Sequence, residues 1–308
     1  MTASYLERLG ARSARVGTVL CLGLDPDPSG LPPGFAPELA GIERFATLVL
    51  EAALSCVAAV KPNLAFFEAY GAAGIAALER LRSTIPGDVP VIADAKRGDI
   101  GSTAARQATA LFDALGADAV TVSPYLGGEA IGPLLERLDR FAYVLCRTSN
   151  PGAGELQDLM VSADSGSDAP SERLHERVAR LASSWGPGGT VGLVVGATAP
   201  DELSRIRAIA PGLPFLVPGV GAQGGAIAPV LADGPATSGP AAAMTGRGLL
   251  VNVSRGIAGA GSGAAGKGAS PVASRGDPFE RIAAAAADWA AKLPVLSLPP
   301  QSTTGRTA

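Results

Sequence analysis

The sequence has few of the residues that build disulfides, metal centres and histidine-dependent active sites. Its three cysteines, Cys21, Cys56 and Cys146, lack the spacing of metal ligands, so we interpret them as small buried hydrophobic residues in a reducing compartment. His175 is the only histidine, and the charged stretch around it, SERLHERVARL, predicts a solvated helix residue. Any chemistry is therefore expected to proceed without a catalytic histidine.

Long apolar runs and an excess of basic residues are also missing. The chain has no run of about eighteen apolar residues, and its first fifteen residues lack the apolar core of a secretion signal. The net charge is −3 and the pI about 5.3, which disfavours a general attraction to nucleic acid or to an anionic membrane. We expect a soluble, cytoplasmic protein that binds neither.

Short apolar runs alternate with longer segments of helical period, a pattern typical of βα units around a parallel sheet. The predicted strands are 17–24, 57–60, a run from 89 into 94, 119–122, 141–146, 191–195, 215–217 and 249–253. Eight strands are the number that closes a parallel sheet into a barrel. With 47% hydrophobic residues and no break in composition, the chain is predicted to form one (β/α)8 TIM-barrel domain over residues 1–308.

The predicted helices and irregular segments complete this plan. The helices are 42–55, 64–82, 103–115, 131–138, 172–185, 201–209 and 278–292. Ser102 or Thr103 is expected to cap the third of them. The polar stretch 161–171 is predicted to be a loop insertion or a mobile lid. Segment 259–276, rich in glycine, alanine and serine, is predicted to be flexible, and both tails to be disordered.

The stretch 89–103, VPVIADAKRGDIGST, places the densest group of charges at a strand end. Because side chains alternate along a strand, Asp94 and Lys96 point the same way and set a carboxylate beside an ammonium group. Gly98 then turns the backbone, and Asp99 adds a second acid. A lone Asp-x-Lys is usually an ordinary ion pair, but this group sits at a strand-to-helix turn, where α/β folds carry their chemistry.

In a barrel, the C-terminal ends of all strands meet at one mouth. The residues expected there are Asp25, Lys61, Asp94, Lys96, Ser149, the loop from Pro218 to Gln223, and Arg255. The glycine-rich run after strand seven lets backbone N–H groups approach an anion, and a helix N-terminus is expected to follow it. Arg255 adds a guanidinium fork suited to phosphate. We predict that this side of the mouth binds a phosphate group.

The acids beside Lys61 and Lys96 are expected to keep both ammonium groups protonated and fixed. Opposite charges about 4 Å apart attract by roughly 4 kcal/mol at an effective dielectric constant near 20. A lysine held in this way is a poor Schiff-base nucleophile, but it can stabilise a developing carbanion and protonate it. An adjacent carboxylate would repel a substrate carboxylate until CO2 leaves. The residues thus favour carbanion chemistry on a phosphorylated substrate, decarboxylation being a natural case.

The motif VIADAKRGDIGST resembles the D-x-K-x-x-D signature of the orotidine 5′-phosphate decarboxylase family. The blocks CLGLDPDP, VKPNLAFFEAYG, SPYLGGE, RTSNPGA and VPGVGAQGG are similar to its longer bacterial form. The resemblance implies a (β/α)8 barrel, a homodimer with active sites at the interface, and no metal or organic cofactor. It also implies conversion of orotidine 5′-phosphate (OMP) to UMP and CO2 in pyrimidine biosynthesis.

The resemblance further implies a role for each site residue. It makes Lys96 the proton donor to C6 of the substrate and assigns the rest of the charged network to Lys61, Asp94 and Asp99, Asp99 reaching into the partner subunit's site. The implied substrate contacts are Asp25 to the ribose, Thr103 assisting from the partner chain, Ser149 to the pyrimidine edge, and Gln223 and Arg255 to the phosphate, with Pro218 in the phosphate loop.

Two other interpretations remain open at this point. One is a related barrel enzyme such as a 3-keto-gulonate-6-phosphate decarboxylase, which uses Mg²⁺. That family is similar at D-x-K-x-x-D but typically has an acid where this chain has Lys61, which disfavours metal binding here. The other is a non-catalytic barrel that binds a phosphorylated ligand. Such a barrel would keep Gln223 and Arg255 but would not need the alternating acids and lysines.

Overall fold

The computed structural model describes residues 3–162, 171–221, 223–262 and 276–296. Within these ranges the strands are β1 Leu20–Leu24, β2 Ala59–Pro62, β3 Ile92–Arg97, β4 Ala119–Val122, β5 Phe141–Arg147, β6 Met160–Val161, β7 Glu172–Arg173, β8 Val191–Val195, β9 Phe215–Val217 and β10 Leu249–Val253. Strands β4, β8, β9 and β10 have the predicted bounds, because each is a short, predominantly apolar run of the kind that parallel sheets bury on both faces.

Eight of these strands form one parallel sheet that closes on itself. Their order is β2-β1-β10-β9-β8-β5-β4-β3, and parallel bridges join the two end strands at Val60–Val91 and Asn63–Asp94. The predicted (β/α)8 barrel is therefore confirmed. Closure brings the C-terminal ends of all eight strands to one mouth, which places residues from distant parts of the sequence side by side.

Helices surround the barrel. In the described ranges they are α1 Tyr5–Val16, α2 Leu39–Ala53, α3 Ala65–Glu68, α4 Gly71–Thr84, α5 Gly101–Ala108, α6 Gly128–Leu135, α7 Gly154–Gln157, α8 Leu174–Ala182, α9 Pro200–Ile209, α10 Ile227–Asp233, α11 Gly239–Ala242, α12 Arg255–Ala258 and α13 Pro278–Lys292. One apolar cluster fills the barrel interior, and a larger one lies between the sheet and the helices. No helix in these ranges is long and apolar enough to cross a membrane.

The N-terminal tail is ordered from Ser4 onward, so the prediction of a disordered tail is wrong at this end. Ser4 and Glu7 form a reciprocal capping box that starts helix α1. Tyr5 is buried, stacks on Phe141 with ring centroids 4.8 Å apart, and places its hydroxyl 3.2 Å from that of Tyr143. Helix α1 thus covers the N-terminal end of the barrel, where apolar burial stabilises a segment that its polar composition did not reveal.

Of the seven predicted helices only 278–292 has the predicted bounds, and backbone geometry explains the difference for two of the others. Helix α5 begins at Gly101, and its N-cap residue Ile100 makes no side-chain cap, so the prediction of a Ser102 or Thr103 cap is wrong. Gly101 adopts a φ of +50°, which lets the chain enter the helix before either hydroxyl residue. The predicted helix 64–82 is two helices, α3 and α4, separated where Gly71 adopts a φ of +60°.

Two short strands lie at the two ends of the predicted insertion and pair with each other in antiparallel fashion. Strands β6 and β7 pair Met160 with Arg173 and Val161 with Glu172. This pairing delays the start of helix α8 to Leu174, two residues after the predicted start at Glu172. Residues 163–170 lie outside the described residues, as do 263–275 of the glycine-rich segment and 297–308 of the C-terminal tail. The first residues of that glycine-rich segment, Gly259–Ser262, form a 3₁₀ turn.

His175 is fully buried, so its prediction as a solvated helix residue is wrong. Its Nδ1 lies 2.8 Å from the backbone oxygen of Gln157 and 3.3 Å from Asp158 Oδ1. The backbone oxygen of His175 accepts a hydrogen bond from the Cys146 thiol at 3.2 Å. Helix α8 is therefore amphipathic, and His175 occupies the face that packs on strand β5. Cys21 and Cys146 are buried as predicted, whereas Cys56, also predicted to be buried, is only partly buried. Burial raises the pKa of the Cys21 thiol to about 12.

Candidate active site

A cavity of about 240 Å³ opens at the C-terminal ends of the barrel strands. Eight of the ten predicted site residues line it: Asp25, Lys61, Asp94, Lys96, Ser149, Pro218, Gln223 and Arg255. They come from six different strand ends, so the closed barrel brings them together as the strand count predicts. Asp99 and Thr103 do not line the cavity.

Asp94 is the centre of the charged group, because both lysines bind its carboxylate. Lys61 Nζ lies 2.5 Å from Asp94 Oδ2, and Lys96 Nζ lies 2.6 Å from Asp94 Oδ1. The Lys61 side chain is only 6% exposed, whereas that of Lys96 is 51% exposed. Lys61 is therefore a fixed part of the cavity wall, while Lys96 extends into the open cavity where a ligand can reach it.

The charges of this group are mutually stabilised. Burial alone would raise the pKa of Asp94, but the charges and hydrogen bonds of Lys61 and Lys96 outweigh it and hold that pKa well below its usual range. Burial likewise would lower the pKa of Lys61, yet the charges of Asp94 and Asp25 raise it above its ordinary value. The buried carboxylate and ammonium group therefore both stay charged across the physiological pH range.

We expect Asp94→Asn to lower the free energy of unfolding by about 3–5 kcal/mol at pH 7, because it leaves the buried Lys61 ammonium group without its partner. Since folding lowers the pKa of Asp94, its stabilisation is complete above the unfolded-state pKa of about 4 and is lost as the pH falls through the folded-state value. Urea unfolding at several pH values measures the free energy of unfolding of the variant and of the wild type. The difference between these two free energies should become smaller below about pH 4.

Asp113→Asn serves as the matched control, because the Asp113 carboxylate pairs with Arg137 at the protein surface. Surface ion pairs contribute little, so this control should unfold nearly as the wild type does. A stability of Asp94→Asn equal to that of the control at pH 7 would contradict the network described above.

The backbone of strand β3 is irregular at the lysine. Lys96 adopts a φ of +47°, in the left-handed region that non-glycine residues rarely occupy. Its N–H donates to Thr121 Oγ1 at 3.0 Å instead of to a strand carbonyl, and the Thr121 hydroxyl donates to Asp94 Oδ1 at 2.9 Å. Such strain costs about 1–3 kcal/mol and is found most often at functional sites.

The loop after β9 has the conformation expected of a phosphate-binding loop. Gly219, Gly221 and Gly224 adopt φ values of +99°, +84° and +86°, which side-chain-bearing residues disfavour. The Gly225 N–H donates to the Gly219 oxygen at 3.0 Å and closes the loop. The helix that follows, α10, begins only at Ile227 and is not among the elements lining the cavity. The loop backbone itself, rather than that helix, faces the cavity.

A hydrogen bond between two polar side chains joins this loop to the segment that follows strand β5. Ser149 Oγ donates to Gln223 Oε1 at 2.9 Å, which links the predicted pyrimidine and phosphate sides. Arg255, the first residue of α12, is exposed to the cavity and forms no ion pair with any residue of the described ranges. A guanidinium group in this position is free to bind an anionic ligand.

Asp99 and Thr103 lie outside the cavity, on the surface next to it. Asp99 Oδ1 accepts a hydrogen bond from the Ile100 N–H at 2.8 Å, and Thr103 is exposed on α5. Neither side chain forms a hydrogen bond or an ion pair with Lys96 or Asp94 within the described part of the chain. One chain alone therefore does not bring these two residues into the group formed by the other eight.

Four polar residues that line the cavity were missed by the sequence analysis: Thr121, Thr148, Asn252 and Ser254. Asn252 Oδ1 and Ser254 Oγ, together with Asp25 Oδ1, are buried and have no hydrogen-bond partner among the described residues. Buried polar atoms without partners are rare, so these atoms are suited to bind a ligand. A single polar residue inside an apolar strand, as in AVTV and LLVNV, is the signal that could have identified Thr121 and Asn252.

Comparisons with known proteins show the family to which the chain belongs. Residues 18–267 match the sequence model of the family described as Orotidine 5'-phosphate decarboxylase / HUMPS. The chain is 47% identical over 253 residues to the orotidine 5′-phosphate decarboxylase of Roseiflexus castenholzii, covering 82% of this chain and 88% of that protein. It is 50% identical over 223 residues to that of Thermomicrobium roseum, covering 72% of this chain and 77% of that protein.

A solved structure supports the same relationship. The structure of Leishmania donovani OMP decarboxylase superimposes with a TM-score of 0.74 and 37% sequence identity, covering 94% of this chain and 97% of that one. Fold and sequence similarity thus agree over most of the chain, and the chain belongs to the orotidine 5′-phosphate decarboxylase / HUMPS family.

Proposed function

We propose that the protein decarboxylates OMP to UMP and CO2, the step that its named relatives carry out in pyrimidine biosynthesis. The observation that carries the proposal is the sharing of the Asp94 carboxylate by Lys61 and Lys96 in a cavity that also holds a glycine-rich loop and Arg255. The high identity to proteins named orotidine 5′-phosphate decarboxylase supports the assignment of the substrate.

In this proposal the two sides of the cavity bind the two ends of the nucleotide. The 5′-phosphate is bound by the loop from Pro218 to Gly225, which includes Gln223, and by Arg255. The loop supplies backbone N–H groups and the arginine supplies a guanidinium fork. Ser149 binds the pyrimidine edge, and Asp25, whose Oδ1 lacks a partner among the described residues, accepts a hydrogen bond from the ribose. These contacts leave C6 and its carboxylate facing Lys96 and Asp94.

The chemical step then uses charges that are already in place. The bond from C6 to the carboxylate breaks, CO2 leaves, and the electron pair stays on C6. The ammonium groups of Lys96 and Lys61 stabilise this negative charge, and Lys96 Nζ donates a proton to C6 to give UMP before it regains a proton from water. Because the network is fixed before the substrate arrives, little reorganisation is needed during the reaction.

We also propose a homodimer in which each site is completed by Asp99 and Thr103 of the second chain. The surface next to the cavity supports this arrangement, because Ile100 is 61% and Tyr125 82% exposed there. Exposed apolar side chains of this size are typical of association surfaces. Asp99 would add a second acid to the charged network, and Thr103 would contact the ribose.

Mixing the Lys96→Ala and Asp99→Ala proteins is expected to restore activity, because a mixed dimer contains one site with both native residues. Random exchange of subunits should restore about a quarter of the wild-type activity, since half the dimers are mixed and each has one intact site. The OMP decarboxylation rate is measured before and after mixing, with subunit exchange verified by mass spectrometry. No gain in activity after complete exchange would refute the shared site.

A metal-dependent decarboxylase of the same barrel group is the main competing function. It is disfavoured because Lys61 occupies the position where those enzymes typically carry an acid. We expect the rate of OMP decarboxylation to stay within about twofold when excess EDTA is added, because protein ammonium groups supply the charge that a metal would otherwise supply. Loss of the rate on chelation, restored by Mg²⁺, would favour the competing enzyme.

A non-catalytic barrel that binds a phosphorylated ligand is the second alternative. It would bind UMP but would not release CO2 from OMP, so the decarboxylation assay separates the two.

We further propose that residues 1–308 act as one domain in the cytoplasm. A soluble biosynthetic enzyme with three free, unpaired cysteines fits a reducing compartment.

A further inference from the structure

Among the residues that the structure describes, Thr121 is the one side chain that bonds both to the backbone of Lys96 and to the carboxylate of Asp94. Its Oγ1 accepts the Lys96 N–H at 3.0 Å and donates to Asp94 Oδ1 at 2.9 Å. The residue is 2% exposed and lines the cavity from strand β4. The Thr121 hydroxyl therefore uses its one donor hydrogen for Asp94 and one of its acceptor positions for Lys96. These are two of the residues that carry the charges of the site.

The register of the sheet explains why a hydroxyl is needed at this position. Strands β3 and β4 pair at Ala93–Val120 and again at Arg97–Val122. Between these pairs β3 has three residues, 94–96, whereas β4 has only Thr121. The ladder of backbone hydrogen bonds is therefore interrupted, and the Lys96 N–H has no strand carbonyl opposite it. The Thr121 side chain supplies the missing acceptor.

We propose that Thr121 is a positioning residue that sets the reactive geometry of Lys96 and Asp94, an inference that rests on the proposed function. Its hydroxyl holds the Lys96 backbone at a φ of +47°, from which the side chain reaches both the cavity and Asp94. The same hydroxyl fixes the carboxylate that the two lysines share. Thr121 itself contacts no reacting atom, so its effect is on placement rather than on proton transfer.

The variants Thr121→Val and Thr121→Ser test this role. Valine matches threonine in shape but removes both hydrogen bonds, whereas serine keeps the hydroxyl. We expect Thr121→Val to lower kcat for OMP between about 10- and 100-fold, because small displacements of a catalytic group cost this much. The affinity for UMP should change less than about threefold, since the phosphate and ribose contacts remain. Thr121→Ser should retain most of the wild-type kcat.

Thr190→Val is the matched control. Thr190 is also a buried threonine, 1% exposed, but it precedes strand β8 at the opposite end of the barrel and its hydroxyl has no partner among the described residues. The kcat of the Thr190→Val variant for OMP should equal that of the wild type. The inference is overturned if Thr121→Val keeps kcat within about threefold, or if kcat and UMP affinity fall together, or if Thr121→Ser is as slow as Thr121→Val.

A second measurement does not depend on turnover. In a crystal structure of Thr121→Val we expect Lys96 to leave the left-handed region and its Nζ to move away from Asp94, because nothing else on β4 holds the N–H. Lys96 unchanged at positive φ would overturn the positioning role even if OMP is the substrate. If instead the wild type fails to decarboxylate OMP, the proposed function fails while this structural test remains valid.

Discussion

Lys96→Ala is expected to lower kcat for OMP decarboxylation by at least about 10⁴-fold while leaving UMP binding largely intact. A positioned general acid contributes about 10²–10⁴-fold, and one preorganised electrostatic contact contributes about 10²–10³-fold. The alanine variant loses both, because Lys96 is the half-exposed ammonium group of the cavity and the proton donor to C6 in the proposed complex. Steady-state kinetics and calorimetric titration with UMP measure the two quantities.

Lys292→Ala is the matched control for this experiment, because Lys292 pairs with Asp288 on helix α13, away from the cavity. It should decarboxylate OMP at the wild-type rate. A Lys96→Ala variant that keeps more than about a tenth of the wild-type kcat would contradict the assignment of Lys96 as proton donor, since general acid catalysis alone exceeds that factor. Loss of UMP binding along with kcat would instead indicate a damaged cavity.

Arg255→Ala is expected to lower kcat/KM for OMP by about 10²-fold or more. Hydrogen bonds to charged groups contribute about 1.5–3 kcal/mol, and a guanidinium group can make two of them to one phosphate. Binding energy from the non-reacting phosphate can also lower the barrier at C6, so kcat as well as KM should respond. Kinetics with OMP over a wide concentration range separates the two constants.

Orotidine, which lacks the phosphate, is the internal control for Arg255. The variant and the wild type should decarboxylate orotidine equally slowly, because the arginine then has no phosphate to bind. An effect on OMP below about threefold, equivalent to about 0.7 kcal/mol, would contradict the placement of the phosphate beside Arg255. Equal losses with OMP and orotidine would contradict it as well, since they would indicate a disturbance of the whole cavity.

The barrel could be predicted from the sequence because parallel strands buried on both faces are predominantly apolar runs. This is why 119–122, 191–195, 215–217 and 249–253 coincide with the observed strands. Helix α1 and His175 could not be predicted in the same way. Charged neighbours suggest exposure in both segments, but Tyr5 packs on Phe141, and His175 lies on the one face of α8 that contacts β5. Such burial depends on tertiary packing.

The charged group of the site was predictable for a related reason. Polar residues that end apolar strands must meet at one mouth once the barrel closes, which unites Lys61 and Asp94 across 33 positions of sequence. The role of Thr121 was not predictable, because it depends on an irregular register between β3 and β4 that no local pattern reveals. The proposed placement of Asp99 in a second chain's site likewise depends on an association between chains that the pattern of one chain does not describe.

The most direct test of the central claim is exchange of the C6 hydrogen of UMP in D2O, followed by ¹H NMR. An active site that stabilises the C6 carbanion formed on loss of CO2 must also stabilise the same carbanion formed by removal of the C6 proton. We predict that the wild type catalyses deuterium incorporation at C6 and that Lys96→Ala does not. Two results would contradict stabilisation of a C6 carbanion by Lys96. One is rapid decarboxylation of OMP by a wild-type protein that shows no exchange, and the other is exchange that persists in Lys96→Ala.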